Sequence, residues 1–152
     1  MATAMAEMLE GELPIGWQWR TLRSLTADYF SGKRPKGGVA GIDEGPLSLG
    51  GEHLRWNGTI DLTTPRRIPE PFADTMRGSE LAPDDILIVK DGATTGKTAF
   101  VRNLPERAFV NEHVFVLRPS EEVLPRYLFY WLWSQPGFAK SCWIFEARLK
   151  EA

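Results

Sequence analysis

Residues 91–98 read DGATTGKT, directly behind the apolar run Ile86-Leu87-Ile88-Val89. A glycine, small residues and then Gly-Lys-Thr after a strand is the composition of a nucleotide-phosphate cradle. In such a loop the backbone N–H groups wrap the phosphates and the lysine meets their charge. That chemistry needs G-x-x-x-x-G-K-[ST]. Here the three residues Ala93, Thr94 and Thr95 separate Gly92 from Gly96, one short of the required spacing. A phosphate loop also runs into a helix whose N-terminus faces the anion, whereas Lys97 leads into the β-forming run Thr98-Ala99-Phe100-Val101. Spacing and context both argue against nucleotide hydrolysis, and no cofactor is expected. The remaining reading is a hairpin. Asp91-Gly92 and Thr95-Gly96 supply its turn residues, and Lys97 projects near its tip as a surface charge or a phosphate contact.

Other chemistry-bearing sets are incomplete. Pro83-Asp84 ahead of Ile88-Val89-Lys90 would suit a metal-dependent nuclease, but Ile88 stands where the second carboxylate is needed. Asn111-Glu112-His113 offers an acid and a base side by side, yet it lies between two β-forming runs and reads as a strand junction. Cys142 is the only cysteine, which excludes an internal disulfide. With His53 and His113 the only histidines, no zinc spacing exists, and no metal site is expected. Asn57-Gly58-Thr59 has the form of a glycosylation acceptor and reads as a turn.

The elements that must position these residues follow from pattern. A chain of 152 residues, 43% hydrophobic and 25% charged, suits one soluble globular domain. No apolar run is long enough to span a bilayer, and residues 1–12 read as a flexible leader without signal-peptide character, which points to a cytoplasmic protein. Trp17, Leu22 and Leu25 suit a strand leading into a short helix. YFSGKRPKGG reads as a loop, and residues 37–71 as irregular structure with short strands such as GTIDL. Strands are predicted over 86–89, 98–101, 108–110 and 113–119, paired antiparallel. Pro125 suits the first turn of a helix that places Tyr127, Leu128, Trp131 and Leu132 on one face. Pro136-Gly137 ends it, and a second helix can restart behind. The order gives an α+β fold, a mostly antiparallel, twisted or barrel-like sheet with short helices.

The net charge is −2, but it is unevenly spread. Arg20, Arg23, Lys33, Arg34 and Lys36 face a single acid, Asp28, in one segment, while acids gather at Glu7, Glu10, Glu12 and at Glu80, Asp84, Asp85. A basic patch on a mildly acidic body would suit nucleic acid.

Several segments, taken in order, carry a resemblance: LPIGWQWRTLRSL, SGKRPKGG, GTIDL with PRRIPE, LAPDDILIVKDGATTGKTAFV, AFVNEHVFVLRP and LPRYLFYWLWSQPGF. Together they resemble the target-recognition domain of the specificity subunit of type I restriction-modification systems. The hairpin segment is the closest match, being similar to that family's L…G-D-I-L…G-A-x-x-G-K pattern, with Asp84 where a glycine is usual. The resemblance covers residues 13–138. It leaves 139–152 as a helical tail that stops before the family's long spacer helix, so the chain looks like one half of a subunit.

What the resemblance implies is a non-catalytic module that binds double-stranded DNA sequence-specifically. It would direct modification (methyltransferase) and restriction subunits to one half of a bipartite site. On that reading Lys33, Arg34, Lys36, Arg66, Arg67 and Lys97 are the candidate phosphate contacts. Arg55, Asn57 and Arg77 are the candidate base readers. Trp56, flanked by Arg55 and Asn57, is open to a stacking role, while the aromatics from Phe129 to Trp133 are expected in the core. The alternative is a truncated fragment without DNA binding of its own, self-associating through Trp143, Ile144 and Phe145.

Overall fold

The computed structural model describes residues 15, 16, 18 and 20–134. Among these lie six strands: β1 (Thr26–Ser31), β2 (Leu47–Leu49), β3 (Ile86–Val89), β4 (Thr98–Phe100), β5 (Ala108–Val110) and β6 (Val114–Pro119). Two helices, α1 (Glu70–Asp74) and α2 (Pro125–Ser134), and two 3-10 turns, Leu22–Leu25 and Arg77–Ser79, complete the order. None of the described helices is long and apolar enough to cross a membrane. The leader, Trp17 and the tail with Cys142 lie outside the described residues.

Four strands form an antiparallel sheet in the order β1-β6-β3-β4. It is an open sheet with β1 and β4 at its edges, not a closed barrel. The α+β class and the antiparallel pairing therefore hold for the main sheet. They do not extend to β2 and β5, which pair in parallel as a second, two-stranded sheet. The cause is visible in the side chains. Ala108 and Val110 face the main sheet, while Phe109 between them buries in an outer cluster with Ile68, Ala73 and Met76. Both faces of this three-residue strand are thereby buried while it pairs with β2.

Period-2 alternation then builds the layers. Leu87 and Val89 join Ala99, Val101, Val114 and Val116 against the β2·β5 pair. Ile86 and Ile88 join Phe100 and Leu117 against Leu128, Phe129 and Leu132 of α2. Every residue of β3 is buried, so it reads as a continuous apolar run. Each such side chain contributes about 2 kcal/mol of burial.

Three local expectations change. Tyr29, Phe30 and Ser31, read as loop, belong to β1, and the loop starts at Gly32. No strand forms at Gln18 or Arg20 ahead of the 3-10 turn. Helix α2 buries Leu128, Phe129 and Leu132, but leaves Tyr127 and Trp131 about half exposed, together with Tyr130 and Trp133. The helix is apolar around its circumference, so pattern alone could not set its rotation.

Where β3 begins, Asp85 is fully buried and accepts from Arg118 Nε and a second guanidinium nitrogen, both at 2.8 Å, and from the Ala82 N–H at 2.9 Å. The pairing raises the Arg118 guanidinium pKa above its ordinary value. Arg118 also donates to the Glu80 carbonyl at 3.1 Å and lies 5.5 Å from the Phe30 ring. Asp85 is thus fully engaged in the scaffold. Its neighbour Asp84, the residue standing where the resembled family has glycine, is the one non-glycine with positive φ (72°) among the described residues.

Candidate nucleic-acid interface

Strand direction decides which loops meet. The register pairs Ser31 with Phe115, Val89 with Val114, Ile88 with Thr98 and Leu49 with Val110. The ends of β1, β2, β3 and β5 and the starts of β4 and β6 therefore lie at one end of the molecule. The loops of residues 32–46, 50–66, 90–97 and 111–113 all start there.

Specific contacts fix how these loops sit. Gly32 has no room for a side chain, because a Cβ would stand 1.6 Å from the Val110 carbonyl oxygen. The loop that follows is thereby pressed onto the end of β5. Asn111 donates its backbone N–H to the Leu49 carbonyl at 2.9 Å, and its side-chain oxygen accepts from the His113 N–H at 2.9 Å. His113 in turn hydrogen-bonds Asp91 through Nδ1 and approaches Glu112 at 3.4 Å through Nε2. The imagined acid/base pair is a junction linking loop 111–113 to the hairpin.

Loop 50–66 is held from within by His53, which is 1% exposed. Its Nδ1 accepts from the Gly50 N–H at 2.9 Å, so its proton resides on Nε2, 3.2 Å from the Thr64 carbonyl it donates to. One ring closes a span of fifteen residues, numbered 50 to 64. No local pattern marks His53 for this role, since its partners are set by how the loop closes.

The hairpin forms as read, with Gly92 (φ 85°) and Gly96 (φ 92°) supplying the left-handed turn conformations. Lys97 departs from expectation. It is 8% exposed rather than projecting from the tip, its Nζ donates to the Gly51 carbonyl at 3.4 Å, and it lies 5.9 Å from the centre of the Trp56 ring. A buried ammonium needs such partners, and here they tie the hairpin to loop 50–66.

The remaining predicted residues divide by position. Lys33 and Lys36 are exposed at the gathered loops and have no ion-pair partner among the described residues. Arg34 lies 3.7 Å from Glu112, and Arg66 lies 3.4 Å from Glu52, both about half exposed. Arg55 pairs with Asp61, and that guanidinium, with help from Thr63, holds the Asp61 carboxyl well below the usual carboxylate range. Asn57 accepts from Thr59 N at 3.2 Å and Thr59 Oγ1 at 2.7 Å, closing a turn.

Arg67 and Arg77 belong elsewhere. Arg67 makes a two-pronged bond to Glu106 at 2.6 and 2.8 Å and donates to the Gly45 carbonyl at 2.7 Å, which places it at the opposite end, where β2 and β5 begin. The pair lowers the Glu106 pKa and raises that of Arg67. Arg77 pairs with Asp74 at 2.9 Å, beyond α1 at that same end. Among the described residues, no three His, Cys, Asp or Glu side chains gather as they would to hold a metal ion.

No protein-family profile and no curated protein matches this chain. Solved structures do. A chain from a structure of complex assembly and conformational transition in the type I R-M system superposes with a TM-score of 0.64 at 23% identity, over 91% of this chain and 33% of that one. The HsdS subunit from Thermoanaerobacter tengcongensis superposes with a TM-score of 0.62 at 22% identity, over 91% of this chain and 33% of that one. The chain shares the fold of one segment of these proteins and spans about a third of their length.

Proposed function

We propose that this chain is a target-recognition domain of a type I restriction-modification specificity subunit, one that binds double-stranded DNA sequence-specifically through its gathered loops. It performs no chemistry itself. In the cytoplasm, modification and restriction subunits of the same system methylate and cleave, and this domain reads one half of a bipartite site for them. The fold shared with HsdS supports this reading, as does the order of the motifs that resemble the family. The observation that carries it is the convergence of four loops on one end of a rigid sheet stack, with Lys33 and Lys36 exposed there and without ion pairs among the described residues. Cations not already engaged by carboxylates are the ones that can neutralise phosphates. Arg34 follows Lys33 directly, Arg55, Asn57 and Arg66 lie on loop 50–66, and each can exchange its present partner for a duplex. The half-exposed aromatic face of α2 suits contact with protein, a partner subunit or a second copy.

Selection from a randomised duplex pool tests the reading. The expected result is enrichment of one short sequence bound at least about a thousandfold tighter than scrambled duplex at physiological salt. Equal binding across the pool would overturn it.

A further inference from the structure

Trp56 is 64% exposed, the most exposed of the described tryptophans, yet the turn that carries it is held on every side. The turn closes through an isolated bridge between Leu54 and Ile60, the Arg55 N–H to Thr59 carbonyl bond at 2.9 Å and the Gly58 N–H to Arg55 carbonyl bond at 3.0 Å. Arg55–Asp61 and Asn57–Thr59 contacts fasten its flanks. The Trp56 carbonyl accepts from the Trp133 indole N–H at 2.9 Å, and the Gly58 carbonyl accepts from the Phe100 N–H at 3.1 Å. Gly58 has φ 83°, and a Cβ there would come within 2.6 Å of the Phe129 ring, so the turn lies flat on α2. The backbone is immobilised while the indole is left in water.

Two features say what should cover that indole. The first is charge. Lys97 lies 5.9 Å from the ring centre, and Asp61, the acid of that loop, is paired with Arg55, so the charge left over beside the ring is positive. The second is continuity. Lys97 is bonded to Gly51 and Gly50 to His53, so the loop that carries the ring is tied to the hairpin at the end where the loops leave β1, β2, β3 and β5. A preformed aromatic beside cations, on a surface that faces phosphates, suits an apolar contact with bases and sugars inside the same complex.

Resting on the DNA-binding reading above, we infer that Trp56 is a specificity-determining contact of the bound duplex, a preorganised wedge or platform that packs against bases while the lysines meet the backbone. Preorganisation means that little further ordering is needed when the ring packs against its partner.

The test compares the full chain with Trp56→Ala and Trp56→Phe on the pool-selected duplex, a scrambled duplex and the single strand of the selected sequence, across a salt series. Trp56→Ala is expected to weaken the selected duplex by about tenfold or more, with scrambled binding and salt slope unchanged and Trp56→Phe retaining most of the affinity. Thermal melting of Trp56→Phe should match the parent, while Trp56→Ala, which removes the ring beside Lys97, should melt somewhat lower, so binding is compared well below both midpoints. Selected-duplex binding by Trp56→Ala equal to that of the parent overturns the inference and leaves the DNA reading standing. So does a loss confined to single strands, or one that lowers the salt slope. Failure of the parent itself to bind any duplex overturns both.

Discussion

At the end where β1, β2, β3 and β5 finish, the chain makes long loops and leaves Lys33 and Lys36 exposed and without ion pairs among the described residues. At the opposite end Arg67 is engaged by Glu106, Arg107 by Glu70 and Glu80, Arg77 by Asp74, and Arg118 by buried Asp85, while Arg23, Arg102 and Arg126 stay exposed there without an ion pair among the described residues. Free cations occur at both ends; what separates them is that the first gathers long loops around Lys33 and Lys36, whereas the second holds strands and turns together with four arginine–carboxylate sets.

The largest loss of stability is expected at the scaffold end. Asp85→Ala leaves the Arg118 guanidinium and the Ala82 N–H without their shared partner. Removing one member of a buried pair of this kind costs about 3 kcal/mol or more. Chemical denaturation should show the full loss, and a midpoint near that of the parent would mean that water substitutes for the carboxylate.

A gentler substitution sharpens the comparison from the same end. Asp84 holds a left-handed conformation that glycine adopts freely. Asp84→Gly is expected to stabilise the fold by about 1 kcal/mol or less, glycine's greater unfolded-state entropy offsetting part of the relieved strain. Duplex affinity should stay unchanged, since position 84 is at the scaffold end. Destabilisation in the melting curve would show that the Asp84 side chain contributes a contact of its own.

Much of this division was written locally. The β-branched and aromatic runs at 86–89, 98–100, 108–110 and 114–119 mark their strands, Gly92 and Gly96 mark the hairpin, and Pro125 opens the helix. What escaped depends on distance along the chain. The three-residue β2 finds its parallel partner about sixty residues later, which no periodicity announces. Lys97 is buried because a carbonyl 46 residues away meets it, and Arg67 is engaged by an acid 39 residues away. Charge type was legible, but whether each charge was already satisfied was not. Trp56 shows the same limit: its neighbours in sequence suggested an open role, while its fastening to Trp133 and its place above Lys97 needed the fold.

On the proposed function the loop end, and not the scaffold end, meets the duplex. Its most direct test is the salt dependence of duplex affinity for the full chain, for Lys33→Ala/Lys36→Ala and for Arg77→Ala. Each phosphate that a variant no longer neutralises should reduce the slope of log affinity against log salt by about 0.9. The double variant is therefore expected to fall by about two units of slope and to bind selected and scrambled duplexes proportionally less well, while Arg77→Ala binds like the parent. An unchanged slope in the double variant, or an equal reduction in Arg77→Ala, would contradict the account.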